Sequence, residues 1–191
     1  MNYQKLIGII SMRCIDLKEY YLNTSDVFDW ANTVRAGDRV FLSGTVYTAR
    51  DAAHKRIIES MNKNEKPPFE LKNAVIYYAG PTPTPDGLAI GSCGPTTSSR
   101  MDPYTPLLIE KGLKCMIGKG ERNDKVCDSI KKNGAVYLCA VGGAGALAAK
   151  SIISCEVIAY DDLGCESIKR LDVKDFPLIA AIDSDGDNLF K

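Results

Sequence analysis

The sequence predicts an α/β domain built on a mainly parallel sheet. Between residues 113 and 160, apolar runs rich in Val, Ile and Tyr alternate with segments of helical pattern. Such alternation is typical of parallel strands joined by right-handed helical crossovers. The first third of the chain and its last thirty residues are richer in strand pattern, which indicates a second, partly antiparallel sheet. With 191 residues, the whole chain 1–191 fits one compact domain.

Five short apolar segments have the composition of β-strands, with Val, Ile and Tyr enriched. These predicted strands are 39–47, 74–79, 113–117, 135–141 and 156–160. The stretch 81–87, between the second and third strands, is Pro-Thr-Pro-Thr-Pro-Asp-Gly. Because proline interrupts a helix and stiffens the backbone, we expect this stretch to be extended and non-helical.

Three segments have the pattern of helices. Residues 53–61 carry an apolar side chain at every fourth position, which gives a helix one apolar face. Residues 102–111 and 121–132 are also helical in pattern, and Gly134 is placed to end the latter helix. These helices alternate with the predicted strands and are expected to cover the sheet.

Composition and charge exclude several classes of function. Apolar residues make up 45% of the chain and charged residues 25%, which is ordinary for a soluble globular protein. The 24 basic and 24 acidic residues balance, and no long run of like charge occurs, so neither nucleic acid nor a membrane surface is an expected partner. No signal-peptide pattern and no apolar run of membrane-spanning length occur. We therefore expect a cytoplasmic protein.

The cysteines predict free thiols rather than disulfides or a metal clip. Their number is odd and no Cys-x-x-Cys spacing occurs. They are Cys14, Cys93, Cys115, Cys127, Cys139, Cys155 and Cys165. Cys115, Cys139 and Cys155 lie in apolar runs and are expected to be small core residues. We expect no metal ligand in this chain, and a cluster held by scattered cysteines is the alternative.

The loop at 94–103 is the most informative segment. It is dense in hydroxyls, contains Thr96, Thr97 and Arg100, and runs into a predicted helix through the Asp-Pro pair at 102–103. Aspartate can cap a helix, proline suits its first turn, and the first-turn amides favour an anion. The arginine adds a forked donor that matches a carboxylate or phosphate. The loop is therefore either a binding site for a small anion or a capped helix with a surface arginine.

A second strand-to-helix junction, at 43–54, supports the binding interpretation. Arg50 lies where the predicted strand gives way to a helix, and His54, the only histidine, follows one helical turn later. Two arginines on two such loops, Arg50 and Arg100, could hold the two ends of a dicarboxylate. Asp51 and His54 could orient Arg50; His54 could also be a general acid or base, a carboxylate-binding donor, or a purely structural residue.

Three segments together carry a family resemblance. Residues 48–54, 94–102 and the Gly-Lys-Gly sequence at 118–120 resemble the β subunit of class I, iron–sulfur-dependent fumarate hydratase, and the β subunit of L(+)-tartrate dehydratase is similar too. The resemblance extends from about residue 42 to the Asp-Phe-Pro segment at 175–177. It implies the swivelling β/β/α fold, with three layers, a mainly parallel central sheet and a second, partly antiparallel sheet.

The resemblance also implies an activity and a set of roles. The chain would be the β subunit of a class I fumarate hydratase, which adds water reversibly to fumarate to give (S)-malate. A 4Fe-4S cluster held by cysteines of a partner α subunit would bind the hydroxyl as a Lewis acid. Arg50, Arg100 and Lys119 would bind the substrate carboxylates. Thr96 would be the candidate proton-abstracting group.

Further implied substrate-binding residues are Asp51, His54 and Thr97. Without the resemblance, Lys119 would be a surface lysine in a loop. The expected assembly is a dimer of αβ units, or a homodimer of this chain when it is isolated. These residues do not indicate whether the substrate is fumarate, tartrate or a methylated dicarboxylate.

Two other motifs suggest different functions. Gly143-Ala144-Gly145 opens a helix after a strand, as in a dinucleotide fingerprint, with Asp161 and Asp162 near the position of a ribose-binding acid. The loop could instead allow close helix packing, or contact a substrate carboxylate or another subunit. A dinucleotide-binding oxidoreductase domain and a non-catalytic assembly module are thus the alternatives. The Asp-rich segment 183–187 resembles the start of a calcium loop but lacks its glycine and glutamate, so we interpret it as a solvated turn.

Overall fold

The computed structural model describes residues 18–191 and shows a mixed α/β unit with a seven-stranded sheet. Cys14 lies outside the described residues. The strands are β1 Glu19–Asn23, β2 Arg39–Thr48, β3 Val75–Tyr77, β4 Cys115–Gly118, β5 Val136–Cys139, β6 Ile152–Ala159 and β7 Ile168–Ile182. The α-helices are α1 Val27–Trp30, α2 Asp51–Asn62, α3 Thr105–Glu110, α4 Asp124–Asn133 and α5 Gly145–Lys150. Short 3-10 turns are formed by Thr24–Asp26, Ser98–Met101 and Asp161–Glu166.

Strands β2, β3, β4 and β5 pair in parallel, and β7 pairs antiparallel with both β2 and β5. Strands β2, β3, β4, β5 and β7 are therefore paired in a closed ring, in which β7 joins β5 back to β2. Strand β1 extends the sheet from β2 in parallel, and β6 extends it from β7 antiparallel. The 15 residues of β7 make this possible, because one edge of this long strand pairs with β2, and the opposite edge pairs with β6 at its start and with β5 at its end.

The prediction of parallel pairing through residue 160 is confirmed for β4 and β5 but wrong for β6. Strand β6 pairs antiparallel with β7. The chain between β5 and β6 forms only the six-residue helix α5, and the edge of β5 away from β4 is paired with β7. Since that edge is occupied, β6 pairs instead with the first part of β7, on the edge of β7 opposite β2.

Alternate residues of the central strands point into two separate cores. Val75, Tyr77, Ile117 and Leu138 belong to one core, which includes residues of β2, β7, α1 and α5. The intervening residues of the same strands belong to the other core, together with apolar residues of α2, α3 and α4. This follows from the two-residue period of a strand. Fully burying each large apolar side chain contributes roughly 1.5–3 kcal/mol.

The helix predicted at 102–111 begins later, at Thr105. Asp102 does not cap it, because both carboxylate oxygens are bound elsewhere, to Arg122 and to the backbone amide of Asn123. A 3-10 turn precedes the helix instead. The predicted capping role of Asp102 is therefore wrong.

The helix predicted at 121–132 also begins later, as α4 at Asp124. Its cap is Asn123, whose side-chain oxygen accepts from the Val126 amide at 2.9 Å. Gly134 follows the helix with φ of 59°, the left-handed conformation that glycine adopts most easily, so this predicted end is confirmed. Among residues 18–191, no helix has the length and apolar character needed to cross a membrane.

Candidate functional site

The candidate site lies where the parallel strands β2, β3 and β4 end. Arg50 lies between β2 and α2, the loop at 94–103 lies between β3 and α3, and Lys119 directly follows β4. Because the carboxyl ends of parallel strands share one edge of a sheet, these loops are neighbours. The chain order of strand, loop and helix thus places the two predicted arginine loops side by side.

Arg50 is held by a carboxylate from the other end of the chain. Its Nη2 atom lies 3.2 Å from Glu166 Oε1, while Glu166 Oε2 accepts from the Ala52 amide at 3.1 Å. Glu166 therefore fixes both the Arg50 side chain and the first turn of α2. A Cβ on Gly80 would lie 2.8 Å from Arg50 Nη1, so a larger residue there would displace this guanidinium. The side chain of Arg50 is 19% exposed.

Arg100 contacts both Asp51 and Thr96. Its Nε donates to Asp51 Oδ1 at 2.8 Å, its Nη2 lies 2.8 Å from Asp51 Oδ2, and its Nη1 donates to Thr96 Oγ1 at 3.4 Å. Asp51 Oδ2 is 4.0 Å from Arg50 Nε. Asp51 therefore lies between the two arginines, and its main contact is with Arg100 rather than with Arg50, the partner that the sequence suggested.

Lys119 is joined to the threonine loop through the backbone. Thr97 and Lys119 form a parallel bridge, the Ser98 amide donates to Lys119 O at 3.0 Å, and the Lys119 amide donates to Ser98 Oγ at 3.0 Å. A Cβ on Gly118 would collide with Ser98 Oγ, so this close approach requires glycine. Within the described range, the half-buried Lys119 forms no ion pair with a carboxylate.

The glycine loop at 142–145 borders Lys119. A Cβ on Gly142 would lie 3.5 Å from Lys119 Cδ, and a Cβ on Gly145 would lie 2.9 Å from the Gly94 nitrogen. Close packing thus accounts for the small residues here. Asp162, one of the two aspartates expected near a ribose, is paired with Arg56 at 2.7 Å. These contacts favour the packing interpretation over the dinucleotide fingerprint.

His54 is fully buried on α2. Its Nδ1 lies 2.9 Å from the Arg50 carbonyl oxygen; because a carbonyl can only accept, we assign the proton to Nδ1. Burial lowers the pKa of His54 to about 4, so the ring is neutral near pH 7. Its Nε2 has no hydrogen-bond partner in residues 18–191. Here His54 supports the backbone of Arg50, and its contact with substrate stays a prediction.

Two pairs of functional interest were not found by sequence reasoning. Glu166 lies more than a hundred residues from Arg50 in the chain, and no local motif indicates their contact. Asp102 and Arg122 form a buried pair, with Arg122 Nε donating to Asp102 Oδ1 at 2.6 Å. The only sequence hint of the second pair is the position of Arg122, two residues after the Gly-Lys-Gly segment. The sequence does not indicate that its partner is Asp102, because that contact depends on how the two loops pack.

The thiols and carboxylates of residues 18–191 form no group with the make-up of a metal site. Among residues 18–191, no three His, Cys, Asp or Glu side chains are grouped closely enough to hold a metal ion. The six cysteines of that range are unpaired. Burial raises the pKa of the Cys93 thiol to about 12 and also raises the pKa of Cys115, whereas metal ligation requires the thiolate.

The site as a whole places three cationic side chains near the hydroxyl of Thr96. Arg50, Arg100 and Lys119 outnumber the two carboxylates that hold the arginines. Forked guanidinium groups suit planar carboxylates, and the excess positive charge attracts anions. Such an arrangement can bind a small di-anion next to the hydroxyl of Thr96.

Comparison with known proteins identifies the family. The chain is 43% identical over 155 residues to the aerobic class I fumarate hydratase of Escherichia coli K12, covering 80% of this chain and 28% of that protein. It is 42% identical over 156 residues to fumarate hydratase 2 of Leishmania major, covering 81% and 28%. The chain therefore spans little more than a quarter of these two relatives.

A third relative is matched over most of its length. The chain is 39% identical over 164 residues to a Methanocaldococcus jannaschii protein named as L(+)-tartrate dehydratase subunit beta, covering 83% of this chain and 84% of that protein. The sequence model of the family described as Fumarase C-terminus matches residues 6–191. This match agrees with the resemblance drawn from the sequence: the chain belongs to the Fumarase C-terminus family.

Proposed function

We propose that this chain is the β subunit, or the C-terminal-domain equivalent, of a class I fumarate hydratase. The reaction is the reversible addition of water to fumarate to give (S)-malate. The observation that carries the proposal is the junction at which Asp51 bridges the two arginine loops, with Arg100 2.8 Å from Asp51 and 3.4 Å from Thr96. Family membership supplies the reaction class, because the relatives are named as fumarate hydratases and a tartrate dehydratase subunit.

The cations of this chain bind and orient the dicarboxylate in this proposal. Arg50 and Arg100 each take one end of the substrate through paired donors, and Lys119 adds a point charge beside them. Glu166 and Asp51 keep the two guanidinium groups in place, so little ordering remains when the substrate binds. Positive charge next to a carboxylate also stabilises the negative charge that develops there when the adjacent C–H bond breaks.

Thr96 is the proposed proton acceptor. A hydroxyl is a poor base at its ordinary acidity and needs a neighbouring cation or relay. The Arg100 guanidinium, 3.4 Å from Thr96 Oγ1, is such a cation, since it favours the deprotonated oxygen. His54 is the second candidate for this role.

A 4Fe-4S cluster belongs, in this proposal, to a partner α subunit; the proposal is supported by the lack of any group of three metal-binding side chains among residues 18–191. Bound there, it supplies a Lewis acid for the hydroxyl that is added or removed. The chain described here then contributes the opposite wall of the active site.

L(+)-tartrate dehydratase, or a hydro-lyase acting on a methylated dicarboxylate, is the second candidate. The observation that favours tartrate is the Methanocaldococcus jannaschii relative, which is named as a tartrate dehydratase subunit and is 39% identical over 164 residues. All these substrates carry two carboxylates, so the same cations serve each of them.

Architecture and assembly extend the proposal. We propose a single domain over 1–191 with the three-layer swivelling β/β/α arrangement, supported by two cores on the two faces of the parallel strands. A dimer of αβ units, or a homodimer when the chain is alone, is the proposed assembly. A cytoplasmic location is supported by the unpaired cysteines of the described residues, since thiols stay reduced there.

A substrate panel on the reconstituted complex tests the function. The chain is combined anaerobically with a cluster-bearing α partner, and turnover of fumarate, L-tartrate and methylated dicarboxylates is compared. We expect fumarate to give the highest kcat/KM. A clear preference for L-tartrate would support the second candidate, and turnover of none of these substrates would contradict both.

A further inference from the structure

A buried ion pair between Asp102 and Arg122 joins the loop of Thr96 and Arg100 to the loop of Lys119. Arg122 Nε donates to Asp102 Oδ1 at 2.6 Å, and the Asn123 amide donates to Asp102 Oδ2 at 2.9 Å. The exposed fractions of the two side chains are 0% for Arg122 and 4% for Asp102. Asp102 lies at the end of the loop that contains Thr96 and Arg100, whereas Arg122 follows Lys119 by three residues. The pair therefore closes the two loops at their far ends.

The Arg122 guanidinium is held on several sides. Its Nη2 donates to Thr105 Oγ1 at 2.8 Å, and its central carbon lies 5.3 Å from the centre of the Tyr78 ring and 5.0 Å from that of Tyr137. Both rings are within the range of cation–π attraction. These contacts restrict the orientation of the guanidinium, and through Asp102 they link the two loops.

A second set of contacts joins the same loops nearer the site. The Tyr137 hydroxyl lies 2.8 Å from Ser98 Oγ and 2.9 Å from Gly120 O. Ser98 Oγ in turn accepts from the Lys119 amide, and the Ser98 amide donates to Lys119 O. Tyr137 also packs on Arg122, so the ion pair and the backbone contacts form one connected structure.

We infer that Asp102 and Arg122 are positioning residues of this site, which set the spacing of Lys119 relative to Thr96 and Arg100. The inference rests on the proposed function, because it concerns the geometry in which that reaction takes place. A buried ion pair adds little net stability compared with apolar residues of similar volume. Its contribution is therefore a defined geometry, and errors of about 1 Å in a site can cost on the order of 100-fold in rate.

Arg122→Lys tests this inference, because lysine keeps the charge but loses the fork that contacts Asp102 and Thr105 together. We expect kcat of the reconstituted complex to fall on the order of 10- to 100-fold, with a smaller change in KM because Arg50 is untouched. Leu178→Ala, a truncation in the other core, is the control for lost stability; it should lower the melting temperature and leave kcat per folded complex unchanged. Normal kcat in Arg122→Lys would overturn the inference.

A double-mutant cycle with Lys119→Met separates positioning from a general loss of activity. If Arg122 acts by placing Lys119, then Arg122→Lys should reduce kcat/KM much less in the Lys119→Met background than in the wild type. Full additivity of the two losses would overturn the role of the pair in placing Lys119.

Hydrogen exchange of the chain alone provides a test that does not need turnover. We expect the Ser98 and Lys119 amides to exchange faster in Arg122→Lys than in the wild type, and to change less in Leu178→Ala. If the complex turns over no dicarboxylate, the proposed function fails, and exchange alone decides whether the pair fixes the loops. Unchanged exchange at both amides would contradict the claim that the pair fixes the two loops.

Discussion

Replacing Arg100 with lysine removes a forked donor from the site while keeping its positive charge. In the structure, Nε donates to Asp51 Oδ1 at 2.8 Å, Nη2 lies 2.8 Å from Asp51 Oδ2, and Nη1 donates to Thr96 Oγ1 at 3.4 Å. A lysine has a single nitrogen and cannot occupy these three positions together. The side chain is 48% exposed, and ion pairs of this kind contribute at most about 1 kcal/mol to stability, so we expect the variant to fold.

The expected loss lies in the transition state. One charged contact in a closed site contributes roughly 2–4 kcal/mol, which corresponds to a loss of about 30- to 1000-fold in kcat/KM at 1.36 kcal/mol per tenfold. Steady-state kinetics of the reconstituted complex with fumarate measures this loss. We expect both kcat and KM to change, because Arg100 contacts the substrate and Thr96 in the proposed mechanism.

Arg56→Lys is the matched control. Arg56 makes the same forked contact with a carboxylate, at 2.7 and 2.5 Å from Asp162. Unlike Asp51, Asp162 forms no ion pair with Arg50, Arg100 or Lys119. We expect its kcat/KM to stay within about twofold of the wild type. Wild-type kinetics in Arg100→Lys, or an equal loss in Arg56→Lys, would refute the assignment of Arg100.

Three further predictions concern the hydroxyl, the glycine behind Arg50 and the buried histidine. Thr96→Val should lower kcat by about 100-fold or more with little change in substrate affinity, and Thr97→Val is the control; equal losses in both would mean that the loop matters rather than one hydroxyl. Gly80→Ala should raise KM, because its Cβ would lie 2.8 Å from Arg50 Nη1; an unchanged KM would contradict the placement of that guanidinium. The pKa of His54 is lowered to about 4 in the folded chain, so the unfolded chain binds more protons between pH 4 and 6.5, and the free energy of unfolding should fall by roughly 2 kcal/mol from pH 7 to 5. Denaturant titrations at several pH values should show this fall in the wild type and a smaller one in His54→Gln. An equal pH dependence in both would contradict the burial of a neutral ring.

The parallel half of the fold was predictable because its signals are local. Strands β2 and β4 were expected at 39–47 and 113–117, and they lie at Arg39–Thr48 and Cys115–Gly118. β2 is rich in the β-branched and aromatic residues typical of strands, and β4 is a short apolar run that ends at the Gly-Lys-Gly turn signal. The left-handed end of α4 at Gly134 was predictable for the same reason, since glycine tolerates that backbone conformation.

The antiparallel half was not predictable in the same detail. Strand β7 pairs with three other strands, and its partners are separated from it by up to about 140 residues in the chain. No pattern within the strand itself selects these partners, so the antiparallel position of β6 depends on tertiary contacts. Alternation of strands and helices predicts parallel pairing only where each helix is long enough to cross over.

The candidate site divides in the same way. Arg50, Arg100 and Thr96 could be proposed from strand-to-helix junctions and resemblance, because each lies in a recognisable short segment. Asp102 has the ordinary sequence context of a helix cap, yet it pairs with buried Arg122. Whether an aspartate caps its own helix or binds a distant arginine depends on which side chain reaches it in the folded chain.

The most direct test of the central claim is a titration of this chain into a fixed amount of cluster-bearing α partner, followed by the rate of malate formation from fumarate. We expect the α partner alone to be inactive and the rate to rise to a plateau at equimolar chain. A double variant, Arg50→Lys with Arg100→Lys, should bind the partner and compete with the wild type without restoring activity. A rate that does not depend on this chain, or full activity with the double variant, would contradict the claim that these arginines bind the substrate.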